Sequence, residues 1–225
     1  MTETESEHTI APDGYAPWSG HVPDHGRRTP VTTYRLQMGA ALTFDDARRL
    51  VPYLHDLGIT DVYLSPVLAA APGSTHGYDV VDHTRISEVM GGRAGLECLA
   101  DDVHAAGMGL VLDIVPNHMA VPTPAWHNLP LWSVLRDGPD SPYASWFDVS
   151  VEAPILMPVL GARIGKVLAD EQLVLDRMTV PTEPERGEQW VLRYFDHVFP
   201  VAEGTQSLPM HVLVDRQHYR LAYWK

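Results

Sequence analysis

Residues 31–118 predict an α/β fold with a parallel sheet. Three observations carry this reading. Short β-branched or apolar runs alternate with longer amphipathic stretches. The stretches between strands are long enough for helical crossovers. The last apolar run, "MGLVLDIVPNH", is nearly unbroken, the pattern of a strand buried on both faces of a parallel sheet. The elements follow in order. "VTTYRLQ" predicts a strand. "LTFDDARRLVPYLHDLG" predicts a helix: Thr43 caps its start with Asp46 three residues on, and Gly58 stops it. Phe44, Ala47, Leu50, Val51, Leu54 and Leu57 form its apolar face, and Pro52 is an awkward interior residue placed to bend it. "ITDVYLSPV" predicts the next strand, followed by a long loop. "RAGLECLADDVHAAG" predicts a second helix, with Leu96, Leu99 and Val103 on one side and Gly107 as its stop. Cys98 falls within that helix and reads as a small core residue rather than a nucleophile. Right-handed crossovers then make the three strands parallel.

The flanks differ in character. Residues 1–30 are polar and rich in Pro and Gly, and read as a disordered tail. After His118 the rhythm breaks into a Pro- and Trp-rich stretch with one short helix near Leu129 to Arg136. "APILMPVLG", "EQLVLD" and "QWVLRYFDHVFPVA" predict short strands, and "SLPMHVLVDRQHYRLAYWK" a helix with an extended end. The formal charge is -13 over 225 residues, which disfavours nucleic acid or an anionic membrane as partner. One cysteine excludes an internal disulfide framework and a multi-cysteine metal site. The acidic start has no apolar signal region, and no run is long enough to span a membrane, so a cytoplasmic protein is expected.

In parallel α/β structures ligands bind beyond the carboxyl ends of the strands. Three polar clusters fall there. The first strand ends in Arg35 and Gln37. The second is followed by His76, Tyr78, Asp79, Asp82 and His83, and the third by Asp113, Asn117 and His118. Carboxylates, imidazoles and an aromatic face suit a neutral polyol: hydroxyls take carboxylate and amide partners, and the C–H face of a sugar lies on a ring. The same groups also suit a divalent metal, with Asp113, His118 and His83 as ligands of a hydrolase. Asp79, Asp82 and His83 equally read as residues that hold their own loop. Spacing leaves these readings open.

"GYDVVDHTRISEVMGG" and "GLVLDIVPNH" resemble two adjacent landmarks of the α-amylase superfamily of (β/α)8 barrels, in matching order and separation. Within it, "YRLQ", "YLSPVLAAAPGSTHGYDVVDH", "LMPVLG", "LRYFDHVFP" and "DRQHYRLAYW" resemble the maltooligosyl trehalose synthase family over residues 31–225. The resemblance implies the first three βα units of a TIM barrel over residues 31–119. An inserted α+β subdomain, with the lead-in to a fourth strand, would follow over 120–225, leaving the barrel incomplete. It implies an intramolecular transglycosylation, formally an isomerisation, that turns the reducing-end α-1,4 bond of a maltooligosaccharide into an α,α-1,1 trehalose bond. It implies that Tyr78 stacks under the sugar, Asp113 supports the site, His118 bonds a sugar hydroxyl and Asn117 braces the loop. His76 and Asp82 complete the expected substrate-binding set, with no metal and no cofactor. The family's nucleophile and acid/base follow strands four and five, and a helper Asp strand seven, so none is expected within these residues. A chain of this extent is then expected to be inactive alone and to need a complementary C-terminal barrel fragment. A non-catalytic α-glucan-binding fragment or an amylase-type hydrolase fragment are the alternatives.

Overall fold

A computed structural model describes residues 29–150 and 153–225. Nearly all of the expected disordered tail thus lies outside the described residues. The first part runs β1 (Thr33–Leu36), α1 (Phe44–Asp56), β2 (Asp61–Leu64), β3 (Leu68–Ala70), β4 (Val80–Ile86), α2 (Gly92–Ala105) and β5 (Gly109–Leu112). Strands β1, β2 and β5 form a parallel sheet in that order, as the alternation predicts. Arg35 pairs with Tyr63, and Tyr63 with Val111. Side chains alternate along a strand, so this register sorts the sheet into two faces. Leu36, Val62, Leu64 and Leu110 pack on one face with Phe44, Ala47, Val51 and Leu54 of α1 and Leu99 and Val103 of α2. Arg35, Tyr63 and Val111 point to the other, and Asp113 continues their row.

Helix α1 starts as predicted. Thr43 and Asp46 form a reciprocal capping box, and the helix runs on through Pro52. Leu57 departs from the expected apolar face: it is the C-cap and is exposed, because the chain turns away there. Cys98 is exposed too, a correction to its core assignment. The buried stripe of α2 follows Leu99 and Val103, and one residue along a helix turns about 100° out of such a stripe. Strand β5 is not buried on both faces: Leu112 and Ile114 are exposed. It is an edge of the sheet among the described residues, so Leu112 is exposed although it shares its row with Leu36 and Leu64, which face the helices. The long loop after β2 also holds unexpected structure. β3 and β4 pair antiparallel, with two register irregularities, as a hairpin.

The second part comprises α3 (Leu129–Asp137), β6 (Ile155–Leu160), α4 (Ile164–Ala169), β7 (Leu173–Thr179), β8 (Glu188–Tyr194), β9 (His197–Pro200), α5 (Met210–Leu213) and β10 (Tyr219–Tyr223). The short helix expected near Leu129 is α3, while α4, which buries only Val167, gave no periodic signal. The Asn128 side chain caps α3 by accepting from the Leu131 amide at 3.0 Å and donates to the Ala120 carbonyl at 2.8 Å. β7, β8 and β9 form an antiparallel meander, and β6 pairs in parallel with β10. A second hydrophobic core gathers there around Trp132, Leu160, Leu192, Phe199, Leu213 and Tyr219. Its polar anchor is Glu183, buried, which accepts from the Trp132 indole at 3.0 Å and from Arg136 at 2.5 Å. Two bonds tie the hairpin to the chain leaving β5: Ala120 donates to the Val80 carbonyl at 2.7 Å, and His83 Nε2 lies 2.8 Å from the Val115 carbonyl.

Candidate functional site

The row of side chains facing away from the helices ends in a hydrogen-bonded cluster. Tyr78 donates its phenol proton to Asp113 Oδ2 at 2.6 Å. Arg35 donates to the Tyr78 oxygen at 3.0 Å and reaches Asp113 Oδ2 at 3.5 Å. The Tyr63 hydroxyl lies 3.4 Å from the same oxygen, and the Arg35 guanidinium sits 5.4 Å from the centre of the Tyr63 ring. Gln37 accepts from Arg35 at 2.9 Å. Arg35, Tyr63 and Asp113 come from three neighbouring strands, at their carboxyl ends. Strand register alone brings them together.

Tyr78 arrives from the tip of the β3–β4 hairpin. The Ala71 amide donates to the Asp79 carbonyl at 2.9 Å and closes the tip. Gly77 has φ +78°, and a Cβ there would meet the Pro66 carbonyl oxygen at 2.8 Å. Glycine is thus required twice over at the residue that delivers Tyr78. The Tyr78 amide donates to His76 Nδ1 at 3.0 Å, and the two rings stack 6.0 Å apart at 25°. Asp79 is engaged inside the tip by Ser74.

The electrostatics follow from these contacts. The hydrogen bond to Asp113, helped by partial desolvation and the carboxylate charge, raises the Tyr78 phenol above the usual tyrosine range against the pull of Arg35. Desolvation works to lower the Arg35 pKa, but its bonds to Tyr63, Tyr78 and Asp113 win and raise it. The cluster thus joins a phenol and a guanidinium that both donate to one oxygen of Asp113. Tyr78 remains 40% exposed, so its ring offers a flat apolar face beside this polar group.

The other expected residues fall elsewhere. Asp82 accepts from the Thr84 amide and hydroxyl and from Arg85, all on its own strand. Asn117 and His118, exposed, lie with His83, Met119, Trp146, Phe147 and Asp148 along a cleft of about 500 Å³. The structure thus joins Tyr78, His76 and Asp113 and engages Asp82 within the hairpin. Among the described residues no three His, Cys, Asp or Glu side chains gather as metal ligands would. Tyr63 went unread in the sequence. Its period-2 spacing from Asp61 and its pairing with Arg35 were the available signals.

Polar groups gathered beyond the carboxyl ends of a parallel α/β sheet, beside an exposed ring, stand where α/β proteins hold their ligands. The chain belongs to the α-amylase catalytic-domain family, whose description "Alpha amylase, catalytic domain" matches residues 48–207. Within that family its likeness is to the maltooligosyl trehalose synthases. It is 40% identical over 205 residues to a candidate maltooligosyl trehalose synthase of Mycobacterium tuberculosis. It superposes on the structure of maltooligosyltrehalose synthase from Arthrobacter ramosus with a TM-score of 0.74 and 43% identity. Each match takes in 87% of this chain and 24% of the relative, so the chain spans about a quarter of their length. An intracellular maltogenic amylase of Bacillus subtilis is 34% identical over 97 residues, 43% of this chain and 15% of that protein. No helix among the described residues is long and apolar enough to cross a membrane.

Proposed function

We propose that the chain is the N-terminal part of a maltooligosyl trehalose synthase and supplies one wall of its glucan site. In this reading β1, β2 and β5 are the first three strands of a (β/α)8 barrel, and residues 120–225 are a subdomain inserted before the fourth. The observation that carries the reading is Tyr78 fixed by Asp113 and Arg35 at the carboxyl ends of those strands. The exposed ring takes the C–H face of a glucose unit, and the polar groups around it take hydroxyls. The reaction assigned to the whole enzyme moves the reducing-end α-1,4 bond of a maltooligosaccharide to an α,α-1,1 linkage within one molecule.

That chemistry needs two carboxyl groups across the glycosidic bond. Asp113 does not serve as one of them: it accepts from Tyr78 and Arg35 and is largely covered. We therefore assign these residues glucan binding without bond cleavage, with a complementary barrel segment as the partner that brings the catalytic carboxylates. Incubation with maltohexaose tests this. The chain alone should leave reducing ends unchanged, and co-expression with the remaining barrel strands of a related synthase should yield a non-reducing product. Loss of reducing ends with the chain alone contradicts the assignment. No conversion with both pieces soluble leaves the chain a plain glucan-binding module.

A further inference from the structure

The strand side of the rim holds a donor that the cluster does not use. Tyr78 is spent, since its phenol donates to Asp113 and accepts from Arg35. Asp113 Oδ2 already takes Tyr78, Arg35 and Tyr63, and only 17% of the Asp113 side chain is exposed. Arg35 divides its terminal nitrogens between Gln37 and the Tyr78–Asp113 pair. Gln37 differs from these. It stands one residue past β1 and is exposed, and its Oε1 accepts from Arg35 Nη1 at 2.9 Å. A guanidinium has no acceptor, so the carboxamide must turn its oxygen to Arg35 and its NH2 group away. That group meets no acceptor among the described residues.

Gln37 is also held in place. It lies two residues from Arg35, so both side chains leave the strand line on the same side. The next residue, Met38, is buried, and its amide donates to the buried Ser65 hydroxyl at 2.8 Å, which pins the backbone as it leaves β1. One guanidinium holds the Gln37 oxygen at 2.9 Å and the Tyr78 oxygen at 3.0 Å. A single sugar unit on the Tyr78 ring can therefore meet the carboxamide as well. The surroundings select its partner. Amide N–H groups beside Arg35 turn away a cation, while Asp113 and a net charge of -13 disfavour an anion. A neutral oxygen with free lone pairs, as on a hexose, fits both conditions.

We propose that Gln37 is a specificity-determining residue whose carboxamide NH2, aimed by Arg35, donates to an oxygen of the glucose unit resting on Tyr78. The proposal rests on the carbohydrate reading above and adds a directional contact to the apolar platform. Arg35 is then a positioning residue that holds the phenol and the amide in one frame. A site built to hydrogen-bond a ligand oxygen discriminates against ligands that lack it. The test is maltohexaose binding by the full chain, measured calorimetrically, with Gln37→Leu and Gln37→Glu. The leucine variant removes the donor and releases Arg35. The glutamate variant keeps an acceptor for Arg35 but has no N–H to give. Both should bind about three- to tenfold more weakly, the scale of one neutral hydrogen bond. The side-chain amide resonances of Gln37, assigned by their loss in Gln37→Glu, should shift saturably as maltohexaose is added to the unsubstituted chain. Full affinity in the glutamate variant, or unmoved amide resonances while maltohexaose binds, overturns the donor role. Weaker binding in Tyr78→Ala with no change in either Gln37 variant overturns it too and leaves the platform. Absence of any glucan binding overturns both.

Discussion

Tyr78 and Asp113 show how single residues set the character of the rim. Their hydrogen bond raises the phenol pKa because the neutral phenol donates to the carboxylate, whereas a phenolate would repel it. Asp113→Asn removes the negative charge and the strongest acceptor and leaves Arg35 pulling the other way. The Tyr78 ring should then titrate at lower pH, read from ring carbon shifts assigned with Tyr78→Phe. An unmoved titration would mean that the bond does not persist in solution. Gly77 acts one residue earlier. Gly77→Ala forces a side chain into a left-handed backbone and against the Pro66 carbonyl. It should cost about 1–2 kcal/mol in denaturant unfolding and also weaken glucan binding. Asp113 was legible because it sits just past a recognisable strand, and His76 and Tyr78 because ring-bearing and acidic residues crowd the loop after β2. Tyr63 was not: Val62 and Leu64 made its strand look uniformly buried, and only the register with Arg35 reveals its polar side.

Among elements, the capped helix was the easiest to read and the hairpin the hardest. The α1 signal is local, since Thr43, Asp46 and the apolar spacing all lie within one segment. Thr43→Ala should cost about 1 kcal/mol of unfolding free energy. The β3–β4 hairpin is built from pairings about 10 to 20 residues apart with an irregular register, and Pro, Gly and Ser at its tip hid it. β5 misled for a different reason. Its apolar run is real, but burial depends on what lies alongside, and among the described residues nothing pairs with its outer edge. Carboxylates also tie elements together. Asp46 is held below its ordinary pKa by the Thr43 hydroxyl and amide. Burial pushes Asp82 up, but its bonds from Thr84 and Arg85 win and hold it low. Both groups have folded values below the unfolded ones. Their stabilisation is therefore complete above roughly pH 4 and fades as pH falls through the depressed values. Asp82→Asn should flatten the acid limb of a stability–pH curve, and an unchanged limb would count against this account.

Among the described residues there are two hydrophobic cores, one under β1, β2 and β5 and one around Trp132 and Phe199. The second depends on a buried charge. Glu183 accepts from the Trp132 indole, Arg136 and Gln189, and Arg136, only 10% exposed, keeps Asp137 as its second carboxylate, at 2.8 and 2.9 Å. Glu183→Ala leaves the buried Trp132 indole without its acceptor and should cost about 1–3 kcal/mol in chemical unfolding, and Glu183→Gln less, since an acceptor stays in place. No sequence pattern announced this network, because its members lie about 50 residues apart and meet only once the strands have paired. The parallel sheet and its polar rim were legible, since alternating strands and helices fix which ends gather. The central claim is that Tyr78 is the platform on which a glucose unit rests. Calorimetric titration of the chain with maltohexaose, beside Tyr78→Phe and Tyr78→Ala, tests it most directly. The account predicts that the phenylalanine variant keeps most of the affinity and the alanine variant loses it roughly tenfold; an alanine variant that binds maltohexaose as tightly as the unsubstituted chain would contradict it.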